Sequence, residues 1–307
     1  MSAKEGIDAL LRLLEILISW PVILLCVVIL VHRELPTLIS NLAQRITKAP
    51  GGFEFAILQQ KVETLGAKVE RLERIMFEPS IALTPELQTQ LQSSLDAFQA
   101  YLARLGYQSQ AGHVRVFVDP KLKDNVYYEG KENRIVLGAP LAKDTDAVFR
   151  EYTHHALLAK TKLDWGSMTD EQQAVESGLA DYFACSFNND PLFGEQSIHL
   201  FRQYPGFESK SAIRNLSNDR TFDEVAANPE IHNVGEIWGG AFWELRERLE
   251  QTVADKLLFS TWVALRPSDT HSDFRVAFVK TLLETDSGEH SRDIQAIFSR
   301  RGLKVKE

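Results

Sequence analysis

Within the stretch FREYTHHAL, Phe149 to Leu157, three residues are of the types that do acid–base or metal chemistry: Glu151, His154 and His155. Glu151 stands three residues before His154 and four before His155, so on a helix both pairs share a face. In the helical pattern His-Glu-x-x-His, histidines at i and i+4 grip a zinc ion and the glutamate between them activates the bound water. Here the i position is Arg150 and the i+4 position is His154. A guanidinium stays protonated and has no lone pair to offer a cation. Taken alone, the stretch reads better as the polar side of a half-exposed helix.

The elements that must position these residues are legible around them. DTDAVFREYTHHALLAK has apolar residues at helical intervals, with Asp144 or Thr145 as cap. MTDEQQAVESGLADYFACSFNNDPLFG predicts a second helix opened by Thr169, and ALTPELQTQLQSSLDAFQAYLARLG an earlier one opened by Thr84-Pro85. HVRVFVD and NRIVLG read as strands, with NVYYEGKEN between them as a short third strand and turn. From Thr145 onward the patterns are mostly helical. A helix, a small sheet and a helix-rich remainder make an α+β domain.

Four stretches, in order, resemble one family. ESGLADYFA resembles the second helix of thermolysin- and fungalysin-like zinc metallopeptidases, the gluzincins. HNVGEIWGGAFWELRERL resembles their stretch in which a histidine precedes GE(I/V)W. NVYYEGKENRIVLG resembles the strand pair whose edge binds substrate backbone, and FSRRGL the closing helix. Together they cover about residues 112 to 303. The resemblance implies a mostly helical gluzincin-like domain with a small β-sheet, and zinc as the cofactor of an active member. It also implies roles: Glu151 as general base, His154 as zinc ligand, and Asp181 as the carboxylate that orients a ligand. His232 falls at the transition-state histidine, and Asn125 and Val126 on the substrate-binding edge.

Two positions depart from that pattern. Arg150 replaces one ligand, and Ser177 stands four residues before Asp181, where the family has its glutamate ligand; Glu176 is one place earlier. One residue of helix is ~100° of rotation, so Glu176 is expected to point away from the metal position unless a π-bulge or its length compensates. Two readings remain open. In one, no cofactor is bound and Arg150 puts its charge where a metal would be, paired with Glu176, Glu151 or Asp181, and the old cleft binds a peptide or protein as a sensor or scaffold. In the other, a displaced zinc site built on His154 and Glu176 serves an active metallopeptidase. Adjacent His154 and His155 point ~100° apart and do not readily share one ion.

The rest of the chain frames this head. Of 307 residues, 44% are hydrophobic and 25% charged, as in ordinary folded proteins. A net charge of -8, with no Lys/Arg-rich block, excludes a nucleic-acid partner. Ile16 to Val31 carries no charge. Extended back to Leu13, it predicts a transmembrane helix, and the lipid bilayer is the expected partner of residues 13–31. Arg33, Arg45 and Lys48 beyond it place the C-terminal domain on the cytoplasmic side of the cell (inner) membrane. KAPGG ends a juxtamembrane helix, and Leu58, Val62, Leu65, Val69, Leu72 and Met76 then follow a heptad seam. That is a short coiled coil able to make a homo-oligomer, or a helix packed on its own head. This order resembles the membrane-tethering prefix of many bacterial proteins.

The expected domains are therefore the anchor with its flank (1–35), a juxtamembrane helix and linker (36–52), a coiled coil (53–80) and the peptidase-like or pseudopeptidase domain (81–307). Trp238, Phe242, Trp243 and Cys185 read as core. Asn188 to Pro229 reads as a long loop-bearing segment framing the cleft. No GxSxG elbow or phosphate-binding loop occurs.

Overall fold

The structure, a computed structural model, describes residues 75–77, 83–107, 114–161, 165–227, 229–265 and 274–302, all within one compact unit spanning residues 70–307. Four strands form its main sheet: β1 (Ile75–Phe77), β2 (Val114–Asp119), β3 (Val126–Glu129) and β4 (Arg134–Gly138), in the order β1-β2-β4-β3. β1 and β4 run parallel to β2, while β3 returns antiparallel to β4 as an edge. The patterns say why. In β2, Val114, Val116 and Val118 are buried while the residues between them are not, the alternation of a strand with one covered face. In β4, Ile135, Val136 and Leu137 are all buried, as an inner strand requires.

Around the sheet stand α1 (Pro85–Arg104), α2 (Thr145–Thr161), α3 (Asp170–Asn188), the single turn α4 (Ile198–Phe201), α5 (Ile231–Leu249), α6 (Gln251–Ala264), α7 (Phe274–Thr285) and α8 (Ser291–Arg300). The expected start signals hold. Thr84 Oγ1 accepts the Leu87 N–H, with Pro85 in the first turn, and Thr169 forms a reciprocal capping box with Gln172. α1 buries Leu91, Leu95, Phe98 and Leu102 along one stripe, and Phe98 stacks on Phe149 of α2 with ring centroids 4.5 Å apart. α3 is buried nearly all round and packs between α2 and α5. A Cβ at Gly178 of α3 would stand 2.6 Å from Trp238 Cβ and 2.8 Å from Gly235 O, so only glycine permits α3 and α5 this close an approach. Behind that contact Trp238, Phe242, Phe278 and Phe298 pack ring against ring, and Cys185 is buried, as expected of core residues.

Residues 188–229 carry short elements between their loops. They fold into a two-stranded pair, β5 (Leu192–Phe193) with β6 (Arg214–Asn215), the turn α4 and a 3-10 turn at Phe222–Val225. One expected boundary moves as well. Met76, the last position of the heptad seam, lies in β1, paired parallel with Arg115 of β2, so the head begins before residue 81. Three consecutive apolar residues, Ile75-Met76-Phe77, suit a strand ladder better than a seam with polar spacers. The anchor, the linker and the rest of the coiled coil lie outside the described residues. Among the described residues, no helix is long and apolar enough to cross a membrane.

Candidate functional site

α2 and β3 form the walls of a cleft of about 740 Å³ into which the expected residues converge. Val126 enters from β3 and Asn125 from just before it, Arg150, Glu151 and His154 from α2, and His232 from the first turn of α5. Behind this lining, α3 buries Glu176, Ser177 and Asp181 completely. Buried carboxylates are tolerated only when paired, and each of these has found a partner.

Arg150 is the centre of the arrangement. Its Nε–H donates to Asp181 Oδ1 at 2.8 Å, Nη1–H to Glu151 Oε1 at 2.6 Å, and Nη2–H to Ser177 Oγ at 3.0 Å. Asp181 and Ser177, one turn apart on α3, receive neighbouring N–H groups of the planar fork, which point charges on a lysine could not match. Burial alone would lower the basicity of this guanidinium. Glu151, Asp181 and Glu176 outweigh that and hold it above its usual value. Two of the three carboxylates expected to pair with Arg150 thus do so directly. Glu176 does not: both its oxygens accept from His154 Nδ1–H, at 2.6 and 2.7 Å. α3 is α-helical throughout, so the length of the glutamate side chain, and no π-bulge, brings it to His154.

Glu151 carries a second bond. Its Oε2 accepts the backbone N–H of Tyr128 at 2.8 Å, tying α2 to the outer edge of β3. His155, adjacent in sequence to His154, faces elsewhere, as the rotation per residue demands. It is 1% exposed and lies between two tyrosines, with Nε2 2.8 Å from Tyr107 Oη and Nδ1 3.0 Å from Tyr128 Oη. The Tyr128 hydroxyl donates to Asn133 Oδ1, so it accepts from His155 Nδ1–H, and Nε2 then accepts from Tyr107. Burial pulls the His155 pKa down to about 4, which keeps the ring neutral for this relay.

A residue with no signal in the sequence completes the cluster. Arg214, on β6, donates from Nη1 to both Asp181 oxygens, at 2.8 and 3.0 Å, while its guanidinium lies over the Phe193 ring. Only the folding of the 188–229 segment brings it there. His232 stands at the rim. Partial desolvation, then Arg214 and Arg150 nearby, lower its pKa to about 4. Glu236, one turn on, accepts from Asn215 N–H and Arg220, and takes no part in the cluster.

A zinc site needs three or four N, O or S donors at about 2.0–2.3 Å from one point. The residues here do not supply that set. Arg150 has no lone pair, Ser177 brings no carboxylate, Glu176 commits both oxygens to His154, and His155 is held by its tyrosines. Among the described residues, no group of three or more His, Cys, Asp or Glu side chains is placed to hold a metal ion.

No protein-family model matches the chain, and no curated protein matches it. Among solved structures, it is similar to the precursor of protealysin, a metalloproteinase from Serratia proteamaculans, with a TM-score of 0.57 and 13% sequence identity over 75% of this chain and 86% of that one. The fold is metallopeptidase-like. Between α2 and α3 of this chain lie Arg150 and its carboxylate partners.

Proposed function

We propose that this chain is a non-catalytic member of its fold class, a pseudopeptidase that binds an extended peptide or protein segment in the α2–β3 cleft and leaves it uncut. The observation that carries this reading is the Arg150 guanidinium, bonded at once to Glu151, Asp181 and Ser177. Its charge is matched by these carboxylates, and it brings no lone pair of the kind a metal would need. Glu151 supports the same reading. One of its oxygens is held by Arg150 and the other by the β3 backbone, so the carboxylate serves as an ion-pair partner and an acceptor for the strand edge.

In this reading residues 13–31 tether the head to the cell membrane on its cytoplasmic side, and the heptads before Ile75 allow self-association. The protein then acts as a tethered sensor or scaffold. The rival, a zinc hydrolase with Glu151 as base and His232 as oxyanion stabiliser, requires a third donor beside His154 and Glu176. The test uses the purified full chain with casein as substrate. Casein should remain intact, with the same background in the presence of a chelator and in Glu151→Gln. Hydrolysis abolished by both chelator and Glu151→Gln would overturn the proposal.

A further inference from the structure

The ends of the hydrogen bonds around the cleft define what it can grip. Gly138 N–H donates to Asn125 O, and Val126 lies opposite Leu137 in the antiparallel pair of β3 and β4. Bonded and non-bonded pairs alternate along such a ladder. The 125/138 pair is bonded, so the backbone groups of Val126 and Tyr128 point away from β4, out of the sheet edge. Both outward N–H groups already have acceptors: Val126 N–H donates to Asn125 Oδ1 at 2.9 Å and Tyr128 N–H to Glu151 Oε2. Their carbonyls have no partner among the described residues. The edge therefore presents acceptors without donors.

The donors stand across the cleft. A guanidinium has five N–H groups. Arg150 uses three, on Asp181, Glu151 and Ser177, which leaves one on Nη1 and one on Nη2 without a partner among the described residues. Its side chain is 11% exposed, and Arg150 lines the cleft together with His232. Those two donors carry little surplus charge. Arg150 and Arg214 are matched by Glu151 and Asp181, and a further carboxylate beside Glu151 would face like charge at close range.

We infer that Arg150 grips an uncharged main-chain carbonyl, so the ligand is an interior stretch of extended peptide. Its N–H groups donate to the Val126 and Tyr128 carbonyls, and its carbonyl accepts from Arg150; a chain-terminal carboxylate is not what is read. This rests on the peptide-binding function proposed above. It goes further by assigning each half of the peptide bond its own partner on the protein, and it makes Arg150 a ligand-binding residue as well as a structural one.

The experiment measures retention of random octapeptides on the immobilised full chain. One library is N-acetylated and ends in a carboxamide, the second ends in a free carboxylate, and the third is the capped library with every backbone nitrogen methylated. The wild-type chain should retain the first two alike. Retention should fall about tenfold for the methylated library and for Arg150→Lys against the capped one, as expected for losing a charge-assisted or ladder hydrogen bond. Retention of the free-carboxylate library alone, equal retention of the methylated library, or unchanged retention by a folded Arg150→Lys overturns the inference while peptide binding stands. If Arg150→Lys does not fold, the two other libraries still decide. Retention of no library by the wild-type chain overturns the peptide-binding reading itself, and this inference with it.

Discussion

Arg150 is held by three partners and in turn neutralises two buried carboxylates, so its removal acts on both sides. Arg150→Met leaves Glu151 with one backbone N–H and Asp181 with Arg214 alone. Breaking a buried ion pair by removing one partner costs roughly 3–5 kcal/mol, and a loss of about 3 kcal/mol in chemical denaturation is expected here. A variant as stable as the wild type would show that the cluster is dispensable. His155 gives a pH-dependent counterpart. Its pKa is about 4 folded, against 6.5 for a free histidine. Between those values the unfolded chain takes up a proton that the folded one refuses, so this group's contribution is intact above pH 6.5 and is lost as pH falls toward 4. The full loss is about 3 kcal/mol. Asp146, raised to about 6 by burial, pulls the other way over much of that range. The measurement is therefore the difference between wild type and His155→Gln: the advantage of the wild type should shrink steadily from pH 6.5 to 4. A constant difference would mean that His155 titrates normally.

At the scale of elements, what the sequence revealed followed local rules. Thr84-Pro85 and Thr169 with Gln172 mark helix starts through bonds to their own first turns, and these are found where expected. Alternation picked out β2, and Asn125 and Val126 line the cleft. What escaped notice depends on partners far along the chain. Ile75–Phe77 becomes a strand only because Val114–Val116 lies alongside, and Arg214 belongs to the site only because β5 and β6 pair. Glu176 shows the limit of helical rotation as a guide, which fixes where Cβ points but not where a long side chain ends; here it ends on His154 Nδ1. Packing of α3 on α5 yields a further prediction. Gly178→Ala inserts a methyl 2.6 Å from Trp238 Cβ, with no flexible side chain to move aside. Overpacking of this kind costs typically 1–3 kcal/mol, and the upper part of that range is expected, read as a lowered thermal midpoint.

For the molecule as a whole, the cluster joins α2 to α3 much as a bound metal would, with charge supplied by the chain itself. Arg150 and Ser177 meet at 3.0 Å, and His154 lies one turn along from Arg150. The double substitution Arg150→His with Ser177→Glu therefore replaces the cation by donors at positions that already face one another. Isothermal titration with zinc should show one ion bound by this variant and a thermal midpoint that a chelator lowers, because metal binding is linked to folding. No uptake by a folded double variant would mean that the helices no longer approach as a metal site needs. The bond from Glu151 to Tyr128 N–H has one more consequence, for solubility. A strand at the margin of a sheet invites pairing with copies of itself, and its unpaired N–H groups are half of the invitation. With both outward amides of β3 occupied by the protein's own side chains, a second sheet finds only carbonyls to meet. The open edge is thus guarded against self-templated aggregation, and the Tyr128 amide should rank among the slowly exchanging protons of the domain.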